Sequence, residues 1–292
     1  MLELRDYDII EPIGAGSFGN VYKCSHKRTG KLVAIKVPTD KENTEKLLVE
    51  ESKVYSKIAC PEKGVCNVTT ITHKGQKLVV MDLLGESLSG LLDKHKKFGL
   101  KTVILIGIEM LKIMRYIHSK GYIHRDMKPD NFTIGYKDSS KIFCIDFGLS
   151  KSYLKRGEHI PEDTHSKFIG TARYASINAH KSVTQSRRDD LEALGYLLVF
   201  FYKGKLPWQG IQTKDKSKRL KMIRKKKESV SREDLCRGLP NEFKVYFEYV
   251  DSLGYSEKPK YSSLIKLFTD LFSSIGYTDK TLEWERDKCE TE

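Results

Sequence analysis

The run His124-Arg125-Asp126-Met127-Lys128-Pro129-Asp130-Asn131 sets a carboxylate, a cation and a carboxamide on one short stretch, and Asp146-Phe147-Gly148 follows fifteen positions after Asn131. Phosphoryl transfer needs these parts. Asp126 can take the proton of an attacking hydroxyl, and Asn131 and Asp146 can hold magnesium against phosphates. A solvated polar loop followed by an unrelated turn would account for either motif alone. It does not account for both in this order and at this spacing.

Gly14-Ala15-Gly16-Ser17-Phe18-Gly19 is a G-x-G-x-x-G loop, with Val21 two residues beyond. Dinucleotide-binding folds share this glycine spacing, so the flanking residues decide. A dinucleotide loop opens a helix, whereas Asn20-Val21-Tyr22-Lys23-Cys24 is β-branched and aromatic and predicts a strand. Tyr7 to Ile13 predicts another strand before the loop. A glycine hairpin between two strands can lay its N–H groups over a triphosphate, because no Cβ blocks the approach.

Leu32-Val33-Ala34-Ile35-Lys36-Val37 is a short apolar strand carrying one lysine. An edge-strand lysine pointing at water is the ordinary meaning of such a residue. The Val-Ala-Ile-Lys run instead suits a lysine that grips α- and β-phosphates. Its acidic partner belongs on the next helix, where Leu47, Glu51 and Tyr55 share a face at i, i+4 spacing. Glu50 points elsewhere on that helix, which selects Glu51.

With these runs in place, the chain resembles the eukaryotic protein kinases, and more narrowly the casein kinase 1 family of serine/threonine kinases. The narrower likeness rests on Gly170 to Asn178, standing where most kinases carry Ala-Pro-Glu, and on Gln185 to Glu192, Leu206 to Gly210 and Leu83 to Leu88. The similar runs extend from about Tyr7 to Phe272. The resemblance implies an α+β, two-lobed kinase fold: a small antiparallel sheet with one main helix, then a larger, mostly helical lobe. It implies ATP and Mg2+ as cofactors, with Lys36, Glu51, Asp126 and Lys128 catalytic and Asn131 and Asp146 on the metal. The ATP site would comprise Ile13, Gly14, Ala15, Gly16, Ser17, Phe18, Gly19, Asn20, Val21, Ala34 and Lys36. Met81 would stand as gatekeeper behind the adenine, and Asp82 and Leu84 would offer backbone groups to its edge. Asn178 replaces the usual Glu, and Ser256 to Tyr261 lacks the late arginine that would pair with it. Losing both partners avoids an unpaired buried charge.

A chain of 292 residues, 39% hydrophobic and 31% charged, suits one globular catalytic domain over 1–292, although length alone would also permit two independent domains. The lobes are expected to divide at a hinge near 82–86, with an N-lobe over 1–82, a C-lobe over 87–292 and no regulatory tail. Val103 to His118 and Leu191 to Phe201 predict buried helices, and Phe243 to Leu253 and Tyr261 to Phe272 amphipathic ones. The resemblance also implies that Asp190, five residues before Gly195, supports the catalytic loop. The start is neither a signal peptide nor a myristoylation site, and no apolar stretch is long enough to span a bilayer. Six cysteines without a C-x-x-C pair predict reduced thiols in an intracellular protein. The expected compartment is cytoplasm or nucleus, and the expected protein is a monomer with no membrane partner.

The net charge is +13, and cations crowd the segment 214–227. Such a run fits a solvated helix face, a nuclear-import or nucleic-acid patch, or recognition of acidic or already phosphorylated substrates. The absence of interleaved aromatics argues against nucleic acid as the main ligand. By the resemblance, Arg173, Arg219 and Gly210 form a pocket for a substrate anion; the family usually has lysine at the position of Arg219. Acidic or pre-phosphorylated proteins are therefore the expected partners. The rival readings are a catalytically silent scaffold and an added nucleic-acid or nuclear role through 214–227.

Overall fold

The computed structural model describes residues 4–16, 19–39 and 43–289. Within it the chain forms two compact units: one runs to Glu86 and also takes in Thr133–Ser150, and the other comprises Ser87–Phe132 and the chain from Lys151 on.

The first unit is built on an antiparallel sheet of β1 (Tyr7–Gly16), β2 (Gly19–His26), β3 (Leu32–Val37), β4 (Val68–His73) and β5 (Gln76–Asp82), in the order β1-β2-β3-β5-β4. The β1–β2 register slips at Ile9/Glu11 and Pro12/Gly14, where bulges admit Pro12 to an edge strand. Cys24, Val33, Ile35, Leu78 and Val80 alternate toward a core that also takes Leu4. Helix α1 (Thr44–Ile58) packs against β4 and β5. It buries Leu48, Glu51, Tyr55 and Ile58, while Leu47 is exposed. This corrects the expected face. Spacing of 3.6 residues per turn sets the stripe through 48, 51, 55 and 58, which leaves Leu47 at its margin. A three-stranded ladder of Leu84–Ser87, Phe132–Gly135 and Ile142–Cys144 completes this part.

The second unit is helical: α2 (Leu88–His95), α3 (Leu100–Ser119), α4 (Ile177–His180), α5 (Arg187–Lys203), α6 (Lys216–Ser229), α7 (Arg232–Cys236), α8 (Asn241–Ser252), α9 (Tyr261–Ser274) and α10 (Glu283–Cys289). Helix α3 packs against α5 and α9, and its breaks at Lys112 and Arg115 face water. Helix α5 starts earlier than its apolar run, where Asp189 Oδ2 accepts from Ser186 N at 2.7 Å and caps the first turn. That start draws Asp189 and Asp190 into the interior. Glu283 caps α3 from a distance, its Oε1 accepting from Gly99 N at 2.7 Å. Among the described residues no helix is long and apolar enough to cross a membrane.

Candidate active site

In the first unit, β2 and β3 pair Val21 with Lys36, and β3 and β5 pair Ala34 with Met81. Lys36 thus projects from a central strand, and its Nζ lies 2.7 Å from Glu51 Oε2 on α1. Both side chains are buried, whereas Glu50 is exposed and pairs with Lys53 at 2.6 Å. Burial pushes the Glu51 carboxyl above its ordinary range, and Lys36 works against that shift. Tyr55, one turn further along α1, meets Phe147 edge-on with ring centroids 4.9 Å apart, and its hydroxyl oxygen accepts from Asp146 N at 3.2 Å. Asp146 has φ +62, a backbone region that costs a non-glycine residue on the order of 1 kcal/mol or more.

The glycine loop is a hairpin. Gly14 pairs with Val21, Ala15 with Asn20 and Gly16 with Gly19, so the strands close on both sides of Ser17 and Phe18, which lie outside the described residues. At Gly19 a Cβ would collide with the carbonyl oxygen of Val37, so glycine is required there. Ile13 is exposed, and Ala34 is buried. Asp82 N–H is spent on Asn67 O at 3.1 Å, so a backbone contribution of Asp82 to a ligand has to come from its carbonyl. Leu84 opens the three-stranded ladder.

In the second unit, Asp126 is buried between three groups. Its Oδ1 accepts from Thr171 Oγ1 at 2.7 Å, and its Oδ2 lies 3.0 Å from Lys128 Nζ and 3.4 Å from Asn131 Nδ2. Asn131 Nδ2 also donates to Asp126 O at 2.9 Å, which leaves Oδ1 as the donor atom of that carboxamide for a cation. Arg125, at φ +68, turns the chain here. Asp190 holds the turn: it accepts from His124 N at 2.7 Å and Arg125 N at 2.9 Å, and meets His118 Nε2 at 2.9 Å. Burial opposes ionisation of Asp190, but the hydrogen bonds and the histidines hold its carboxyl below the ordinary value. Gly170 passes so close to Arg125 O that a Cβ would stand 2.5 Å from it. The resemblance to kinases implied that Asp190 supports this loop. It gave no role to Thr171, whose contact with Asp126 joins residues 45 positions apart.

In the first unit Asp146 offers a carboxylate, and in the second Asn131 an amide oxygen; each is a hard oxygen donor of the kind magnesium takes. Magnesium uses few protein ligands and completes its shell with water and phosphate.

The basic segment is not wholly a solvated face. Lys227 is 2% exposed, donates to Ala175 O, and sits over the rings of Tyr196 at 4.7 Å and Trp208 at 5.0 Å. Burial pushes its ammonium down to about 7. The end of the 170–178 run is not charge-free either. Glu192 Oε1 accepts from Ile177 N at 3.2 Å and lies 3.6 Å from Arg232 Nη2, which also binds Asp251 at 2.6 Å. Arg232, five residues after Lys227, is thus a half-buried cation beside the end of this run. Arg173 and Arg219 are both exposed, as is Gly210 at φ +79. Arg219 lines a shallow cavity of about 470 Å³ with Ile211, Gln212, Thr213 and Lys214, and Arg173 does not line it.

His180, at the end of α4, gives a pH signature. Burial, with Lys227 and Arg224 nearby, pushes its imidazole down to about 4. An unfolded histidine takes its proton near 6.5, so between about 4 and 6.5 the unfolded chain binds more protons and stability falls as pH drops. Asp189, pushed up to about 6 by burial, acts in the opposite sense, because there the folded chain binds the extra proton. The comparison that isolates His180 is native protein against His180→Gln in urea at pH 7 and pH 4.5. The stability advantage of native protein should shrink by about 2–3 kcal/mol at the lower pH. Parallel losses in both proteins would show that His180 is not held neutral.

The family model for the protein kinase domain matches residues 7–271. The chain belongs to the protein kinase domain family. Its antiparallel N-terminal sheet and mostly helical C-terminal part are the two-lobed kinase fold, and the chain is a protein kinase.

Proposed function

We propose that this kinase is a serine/threonine-specific enzyme of casein kinase 1 type, using ATP and magnesium and acting on acidic or phosphate-primed proteins. The observation that carries the reading is the setting of Asp126, a buried carboxylate with Lys128 Nζ at 3.0 Å and Thr171 Oγ1 at 2.7 Å. A lysine two residues after the catalytic aspartate resembles serine/threonine kinases, and the runs 170–178 and 185–192 resemble casein kinase 1.

In this reading Lys36, held by Glu51, grips the α- and β-phosphates, and the backbone of the Gly14–Gly19 hairpin covers them. Asp126 orients the substrate hydroxyl and takes its proton as the oxygen–phosphorus bond forms and the bond to the β-phosphate oxygen breaks, releasing ADP. Lys128 stabilises charge on the transferred group. Asn131 and Asp146 would hold magnesium, which would supply positive charge to neutralise the phosphates. Positioning and electrostatics then provide most of the rate.

Substrate choice is assigned to Arg173 and Arg219, both exposed. Guanidinium groups make strong hydrogen bonds to a dianionic phosphate and weaker ones to a carboxylate. Removing both should raise KM for a peptide with a phosphoserine a few residues before its target by about tenfold or more, with little change in kcat. The paired peptide lacking that phosphate should be affected far less. Equal losses on both peptides would assign these arginines to the fold.

A further inference from the structure

Helix α6 buries two side chains one turn apart, Ile223 and Lys227. An apolar residue is the ordinary anchor at such a position, and a buried lysine carries a desolvation penalty that has to be met by specific partners. Its partner is Ala175 O, which belongs to a short run fixed at four points. Trp208 Nε1 donates to Arg173 O at 2.7 Å, Lys227 Nζ donates to Ala175 O, Ser176 Oγ donates to Asp189 Oδ1 at 2.6 Å, and Ile177 N donates to Glu192 Oε1 at 3.2 Å. Helix α5 supplies Asp189 and Glu192, and the turn before Gly210 supplies Trp208. Lys227 adds a tie from α6, the helix that carries Arg219.

Arg173 lies two residues from Ala175, and Arg219 lies eight residues, roughly 12 Å of helix, from Lys227. Arg173 rests over the Tyr174 and Phe200 rings, its Nη1 donating to the Tyr174 hydroxyl at 3.3 Å, and Arg219 is exposed on α6, so the spacing of the two cations follows the backbones that carry them. We propose that Lys227 is a positioning residue for protein substrates: its bond to Ala175 fixes the strand of chain bearing Arg173 to the helix bearing Arg219, and so sets the spacing of the two cations. Ammonium and neutral amine both donate, so the contact does not depend on the charge of Lys227. The inference deepens the substrate reading above and rests on it.

The test uses Lys227→Met, which keeps the apolar stem and removes the donor. Lys227→Gln is carried in parallel; it keeps the site polar, but its amide stops about one bond short. Each variant should raise KM for the primed peptide by about tenfold, leave kcat, the KM for ATP and the KM for the unprimed peptide within about threefold, and speed amide exchange in 174–178 relative to α3. A native preference for the primed peptide in whichever variant folds, or equal losses on both peptides and on ATP, overturns the proposal. If the Arg173→Ala/Arg219→Ala protein loses that preference while Lys227→Met keeps it, this inference alone fails. If native protein does not distinguish the peptides, the substrate reading fails, and this inference with it.

Discussion

Asp126→Asn should lower phosphotransfer by on the order of a thousandfold while leaving the protein folded and able to bind nucleotide. The substitution preserves shape and can keep the contact with Thr171, so the carboxamide should sit in the same pocket. What it loses is the capacity to accept a proton from the attacking hydroxyl. The ion pair with Lys128, at 3.0 Å, is lost as well, but Lys128 is partly solvated and the structural penalty should be about 1 kcal/mol or less. The loss should therefore appear in kcat, with the KM for ATP nearly unchanged. A variant retaining activity within about threefold of native would remove Asp126 from the chemistry.

Lys36→Met should have an effect of similar kind from the other unit, at least about a hundredfold, or near 3 kcal/mol of transition-state stabilisation. Its mechanism differs. Methionine preserves the buried stem but removes the charge that meets Glu51, whose carboxyl is already pushed up by burial. Glu51 should then take up a proton, which spares the fold most of the penalty of an isolated carboxylate. Thermal stability should thus change modestly while turnover collapses. The telling measurement is single-turnover transfer alongside the melting temperature. Unfolding in step with lost activity would make the pair structural, and activity within about threefold of native would remove Lys36 from phosphate binding.

How much of this was legible in the sequence depends on the range of the interactions. The short-range motifs name Lys36, Asp126, Asn131 and Asp146 because each sits at a fixed offset within one strand or loop. Helical periodicity chose Glu51 over Glu50, yet it put Leu47 in place of Leu48 on the buried face. A four-residue step and a three-residue step fit one stripe almost equally well, and only the sheet beneath decides between them. Thr171, Glu192 and Arg232 act across long separations, and nothing local to them reports their partners. Lys227 is the sharpest case. It lies in a run of three lysines, and among them it alone is four residues from the buried Ile223 on the inner side of α6. That phase was the available signal, and the surrounding charge concealed it.

Serine-directed phosphotransfer by this kinase is read by following the γ-phosphate of ATP onto a primed peptide containing one serine. The protein should be made in bacteria and stripped with phosphatase, since Trp208, Lys227, Asp189 and Glu192 already hold Arg173 to Ile177. Magnesium-dependent label should appear on that serine, far above the Asp126→Asn background. Nucleotide binding without transfer above that background would contradict it, and would make this chain a scaffold.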